Sequence, residues 1–159
     1  MVDVLHCVDM GLNSHIVGNV IWWFVVVCSC FGGGTQLDKL QRMHNDLKKW
    51  YSHTKCKNRI RGQINVERVR ASAGDWPKLK GKAAALRCLA PYALDLARRF
   101  CQLGSVDPYV KAHDTLVLGV TQLMVNFYDI LSESSQFAAR CRDELPLVGN
   151  QLMLMYAQL

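Results

Sequence analysis

The stretch HIVGNVIWWFVVVCSCFGGG, His15–Gly34, decides the fold. Sixteen uncharged residues, 16–31, lie between a histidine and three glycines. A membrane-crossing helix needs about 20 predominantly apolar residues. This run is shorter, contains Asn19, and has no lysine or arginine before Lys39 to anchor an orientation. Trp22 and Trp23 stand in its middle, whereas interfacial tryptophans sit near the ends of a span. Three successive valines beside two indoles suit an element buried on all sides. The run is read as a core helix ending at Gly32-Gly33-Gly34. A small membrane-associated protein anchored by residues 16–31 is the alternative.

Upstream, VDVLHCV alternates apolar and polar residues like the end of a buried strand. Downstream, Thr35 and Asp38 have the spacing of a capping box. Leu37, Leu40, Met43, Leu47 and Trp50 then recur at threes and fours, which predicts an amphipathic helix to about His53. Residues 55–73 keep no helical period and read as loop with one short strand. A helix starting near 79–82 is expected to break at Pro91, which would open a second helix to Leu103. Asp107-Pro108 caps the longest helix, to about Leu131, with Val110, Leu116, Leu118, Val120, Leu123, Phe127 and Leu131 as its apolar face. Ser134 or Ser135 caps a further helix through Arg142, and Pro146 opens the last.

The chain has 159 residues, half of them hydrophobic and a fifth charged, the composition of one folded domain. The expected segments are 1–34 (strand end and apolar helix), 35–78 (amphipathic helix and basic loop) and 79–159 (helical region). Seven cysteines at scattered spacings, with no basic leader before the apolar run, read as reduced, mostly buried thiols of a nuclear or cytoplasmic protein. Cys28-Ser29-Cys30 lacks a second pair at zinc-finger spacing. His44 and His53, nine apart, do not share a helix face as metal ligands. Cys56, among Lys55, Lys57 and Arg59, is a candidate for an acidified thiol.

Net charge is +6, but Lys48–Arg87 alone carries twelve bases and two acids, a balance of +10 against −4 elsewhere. Such asymmetry points to a polyanion partner. The candidate contacts are Lys48, Lys49, Lys55, Lys57, Arg59 and Arg61, with Lys78, Lys80 and Lys82 beyond the GDWP turn. Trp50 and Tyr51 among the lysines suggest stacking on unpaired bases. No helix-turn-helix, zinc-finger, P-loop or dinucleotide-binding signature is present, and no small-molecule substrate is expected.

DVLHCVDMGLNSHIVGNVIWW, an aspartate before a histidine with an acid and a glycine following, then a long apolar helix, resembles a segment of cut-and-paste DNA transposases. These have a ribonuclease-H-like core and are of the broad CACTA and Kyakuja–Dileera–Zisupton type. DWPKLKGKAAALRCLAPYALDLARRF is similar to a segment of transposon-derived reading frames. The resemblance covers residues 3–30 and 76–100. It implies a mainly α-helical, bundle-like remainder of a ribonuclease-H-like transposase, with one or two short strands. It implies phosphoryl transfer on DNA by two Mg²⁺ ions held about 4 Å apart by carboxylates. By motif, Asp9 is the first choice of catalytic and metal-binding acid and Asp3 the second, with His6 orienting an acid or a phosphate. The family often has Glu where this chain has Asp9. The strands bearing the other acids are missing upstream. Asp114, Asp129 and Glu133 read as the solvated face of the long helix. The expectation is therefore a fragment whose parent chain is longer, inactive in isolation and without Mg²⁺ unless the full site is supplied. A non-enzymatic nucleic-acid-binding helical module is the other reading.

Overall fold

A computed structural model describes residues 5–132 and 143–158, with side chains from residue 8 onward. The protein is mainly α-helical, and no strand occurs among the described residues. The elements are α1 (Ser14–Ile21), flanked by π-helical segments Leu5–Asn13 and Trp22–Val27, then α2 (Gln36–His53), α3 (Val66–Val69), α4 (Ala83–Phe100), α5 (Pro108–Ser132) and α6 (Leu145–Tyr156). Two compact units form, Met1–Ala93 and Leu94–Leu159.

The first unit is built on the apolar run. Ile16, Val17, Val20, Ile21, Phe24 and Val25 are at most 1% exposed. Asn19 fits this interior because its side-chain amide donates to the His15 carbonyl at 2.9 Å. The expected strand end is replaced by helix over residues 5–13. Alternation over so few residues does not exclude a helix, and the apolar run propagates its winding backward across them. Ser14 strengthens that turn by donating to the carbonyls of Met10 at 2.8 Å and Gly11 at 2.7 Å.

The first helix also ends earlier than its glycines suggest. Winding stops at Val27, and Ser29 turns the chain with φ 57°. Gly32 and Gly34 follow at φ 89° and 111°, the left-handed region open to glycine. Arg42 of α2 gathers this turn, donating to the carbonyls of Phe31 at 2.5 Å and Gly32 at 3.2 Å, and to that of Gly33. The Thr35–Asp38 capping box forms as read from the sequence. Leu40, Met43 and Leu47 of α2 then pack fully buried.

Between α2 and α4 the backbone is irregular but anchored. Ile60, Ile64 and Val69 are buried, and α3 takes the place of the expected short strand because Asn65 caps the Arg68 N–H at 3.0 Å. Residues 78–80 run extended beside both α1 and α3. Leu79 N–H donates to Ser14 O at 2.9 Å, while the N–H groups of Lys78 and Lys80 donate to Val69 O at 2.7 Å and Arg68 O at 2.9 Å. Leu79 is buried and its two lysine neighbours are exposed.

The break expected at Pro91 does not occur: α4 runs through it. Proline removes one helical donor and crowds the preceding turn, at about 3 kcal/mol. Burial of Leu86, Leu89, Ala90, Tyr92 and Ala93 on the inner face of α4 offsets that cost.

In the second unit Asp107 caps α5, accepting from Tyr109 N–H at 2.9 Å, and α6 packs on α5. The buried stripe of α5 is Asp114, Val117, Thr121, Met124 and Tyr128, with Val120 and Ile130 beside it. Of the expected apolar face Val120 alone is fully buried, and the rest is half-buried. The face is rotated because Asp114, read as solvated, is 2% exposed and accepts the Gln102 N–H at 2.7 Å. Asp129 is exposed as expected. Glu133, Ser134, Ser135 and Arg142 lie outside the described residues.

Candidate nucleic-acid interface

All nine lysines and arginines singled out from the sequence are exposed. The fold brings part of the set together. Lys57, Arg59, Arg61 and Lys82 meet, with Arg68, around a cleft of about 280 Å³ beside the first turn of α4. No carboxylate lines it, and none of the five pairs with an acid among the described residues. Like charges gathered without counter-charges repel one another and raise the local potential, a condition that an anion relieves.

Two of these cations are fixed by backbone carbonyls. Arg68 donates to Lys80 O at 2.8 Å and Arg61 O at 2.5 Å. Arg59 donates to Cys56 O at 2.9 Å and lies 5.6 Å from the centre of the Tyr51 ring. Neither contact neutralises the guanidinium, so the charge is held in place and remains available.

A second cleft, of about 610 Å³, shares Arg59 and Ile60 with the first. Its walls include Gln41, His44, Lys48, Ser52 and Gln63. The Gln63 side-chain amide donates to that of Gln41, joining the loop to α2. Burial, then the charges of Lys48 and Arg68, hold the His44 pKa below its ordinary value. Lys49, Lys55, Lys78 and Lys80 line neither cleft. Sequence reading did not single out Arg68 or His44. Arg68 is one base among twelve, and His44 was weighed only as a metal ligand.

The aromatic expectation changes. Tyr51 is 3% exposed, accepts the Ile60 N–H at 3.2 Å, and is pushed up to about 12 by burial. Trp50 packs edge-on against Tyr51 and Tyr92 at 5.8 and 5.5 Å. Tyr51 serves the core, which removes it as a stacking platform, while Trp50 stays half-buried. Trp76, 79% exposed in the GDWP turn, is the large aromatic that the fold presents to solvent near the basic residues. Cys56 is also corrected: burial and the neighbouring Cys88 raise its thiol pKa, and these outweigh the lowering by Arg59. Cys28 is exposed rather than buried.

Asp9 is fully buried, and its carboxylate faces Arg87, with Nη2–Oδ2 at 2.6 Å and Nε–Oδ1 at 3.5 Å. A guanidinium in that position supplies the positive charge that a divalent metal would otherwise bring. Asp9 with its surroundings therefore does not fit Mg²⁺, and no group of three His, Cys, Asp or Glu able to hold a metal occurs among the described residues. Asp3 and the His6 side chain lie outside the described set.

Val8–Val27 and Pro108–Ser132 are long and apolar enough to cross a membrane by length and composition. In the structure 56% of the first window is buried inside the protein. Compared with protein-family models, curated proteins and solved structures, the chain shows no match to any of them.

Proposed function

We propose that the chain is a non-enzymatic nucleic-acid-binding module that grips the phosphate backbone. One observation carries this reading: five cationic side chains, Lys57, Arg59, Arg61, Arg68 and Lys82, border one cleft that no carboxylate lines. Lysine and arginine that neutralise phosphates release condensed counterions, so such binding is strong at low salt and weakly sequence-dependent. Phosphate contacts of this kind position a strand without reading its bases. DNA is also the partner that the transposase resemblance implies. A mobile-element origin therefore shares its substrate class with this reading, and a nuclear or cytoplasmic location follows from it. The cleft needs neither Asp9 nor Mg²⁺.

The test is fluorescence anisotropy with labelled single-stranded and duplex oligonucleotides between about 50 and 200 mM salt. Affinity is expected to fall steeply and log-linearly with salt. Absence of binding at the low-salt end, or affinity indifferent to salt, would remove the proposal.

A further inference from the structure

The chain enters α4 through residues 76–82, WPKLKGK, and burial alternates along them. Trp76, Lys78, Lys80 and Lys82 are exposed, Pro77 and Leu79 are buried, and Gly81 is half-buried. In extended backbone successive side chains point to opposite faces. The alternation therefore places one indole and three ammonium groups along the solvent side of a single short segment. Residues 76–82 contain no acid, and Asp75 stands just before them.

A lone exposed apolar side chain carries no information by itself. Trp76 is set apart by the frame that holds it at 79% exposure. Arg70 donates to the carbonyls of Asp75, at 2.7 Å, and of Ala73, and its guanidinium lies 5.1 Å from the centre of the Trp22 ring. The Asp75 N–H closes the turn on Ser72 O at 3.2 Å. Beyond the tryptophan, the N–H groups of Lys78 and Lys80 bond one side of the segment to Val69 and Arg68, and that of Leu79 bonds the other to Ser14. The indole is thus presented on backbone that is already fixed, so little ordering entropy is lost when something settles on it.

We infer that residues 76–82 form a track for an unpaired nucleic-acid strand, with Trp76 stacking on a base and Lys78 and Lys80 beside the adjoining phosphates. The inference deepens the nucleic-acid reading above and rests on it. Every base has a π-face, so an indole accepts any of the four. In a duplex those faces are covered by neighbouring pairs, which makes Trp76 a selector for single strands. Alternate residues of an extended segment stand about 6.6 Å apart, near the separation of successive phosphates in an unstacked strand. The track also leads to the cationic cleft. Lys82 borders that cleft, Arg68 of the same cleft donates to Lys80 O at 2.8 Å, and the six residues from Trp76 to Lys82 reach no further than about 20 Å. Lysines alone would serve duplex and single strand alike. An acidic polypeptide would answer the lysines but brings no base to the indole.

The experiment uses a single strand of about 12 nucleotides, within the range that such sites occupy, its duplex, and a tetrahydrofuran abasic strand of equal length that keeps the phosphates without bases. Tryptophan fluorescence and anisotropy are read at low salt for the parent chain, Trp76→Leu and Trp76→Phe. Because position 76 is exposed, neither substitution disturbs the core. The single strand is expected to quench the parent's fluorescence, and Trp76→Leu to abolish the quench, since Trp22, Trp23 and Trp50 are half-buried. Trp76→Leu should bind the single strand about tenfold more weakly, a ΔΔG of about 1.4 kcal/mol, within what one base–aromatic stack contributes. Its affinity for the duplex and the abasic strand should match the parent's, as should its salt slope, and Trp76→Phe should recover most of the loss. Unaltered single-strand affinity in Trp76→Leu, or an equal loss on the abasic strand, overturns the inference, and salt-sensitive binding would then leave the backbone-gripping proposal standing. Polyglutamate bound with the same dependence on Trp76 would overturn it too, by assigning the segment to an acidic protein. Absence of binding to every strand at low salt removes both proposals.

Discussion

Gly18 of α1 lies directly against the backbone of Lys78. A Cβ placed on Gly18 would stand 2.8 Å from both the N and the Cα of Lys78, and 2.7 Å from the N of Leu79. Backbone, unlike a flexible side-chain tip, has little room to yield. This approach lets the Leu79 N–H reach Ser14 O and fixes the extended 78–80 segment from which the chain enters α4 and the cationic cleft.

Gly18→Ala should therefore destabilise the chain by about 1–3 kcal/mol, the usual cost of overpacking a closed core. Urea unfolding reads this directly. A midpoint unchanged from the parent would show that α1 and the 78–80 segment are not in this contact.

Arg87→Met should lower stability by about 1–3 kcal/mol, since it withdraws a charged partner from the buried Asp9 carboxylate. If Asp9 serves structure, its own replacement, Asp9→Asn, should leave oligonucleotide affinity in folded protein unchanged. A loss of DNA affinity in Asp9→Asn at intact fold would return Asp9 to the functional site.

Arg61→Ala removes a cleft cation that is solvent-exposed. Its affinity for single strands should fall, and the slope of log affinity against log salt should become shallower by about 0.7. Lys49→Ala, outside both clefts, serves as the control. Equal effects at the two positions would indicate a diffuse basic surface instead of a cleft.

Acid should weaken the fold before any carboxylate titrates. His15 and His44 both sit below their ordinary value of 6.5, in each case chiefly through burial, aided by Lys78 at His15 and by Lys48 and Arg68 at His44. The unfolded chain then binds more protons than the native one as pH falls past 6.5, so the stability they contribute is complete above that pH and is lost below it. Urea midpoints should drop between about pH 7.5 and pH 5.5, and less so in His44→Gln. Identical midpoints at the two pH values would contradict the burial of these rings.

Pro91→Ala should stabilise α4, by up to about 3 kcal/mol, because position 91 is exposed and alanine restores a helical donor. A thermal melt decides it. A lower midpoint would mean that the proline ring supplies packing that alanine cannot.

The sequence by itself determined the helical class and several boundaries. Thr35 with Asp38, and Asp107 before Pro108, are local capping chemistry, complete within three or four residues, so their spacing sufficed to place α2 and α5. It also placed the positive charge in one segment, because charge is written residue by residue. Tertiary structure decided the rest. Helix continuity through Pro91, the rotation of α5 around Asp114, the burial of Tyr51 and the packing of Trp50 on Tyr92 depend on packing partners up to 42 residues away in sequence. So does the selection of Lys57, Arg59, Arg61, Arg68 and Lys82 from twelve bases, since only the folded backbone brings residues 57–68 against the start of α4. The burial of His44, and the absence of a partner for its Nδ1 among the described residues, are likewise created by the fold and not by the residue.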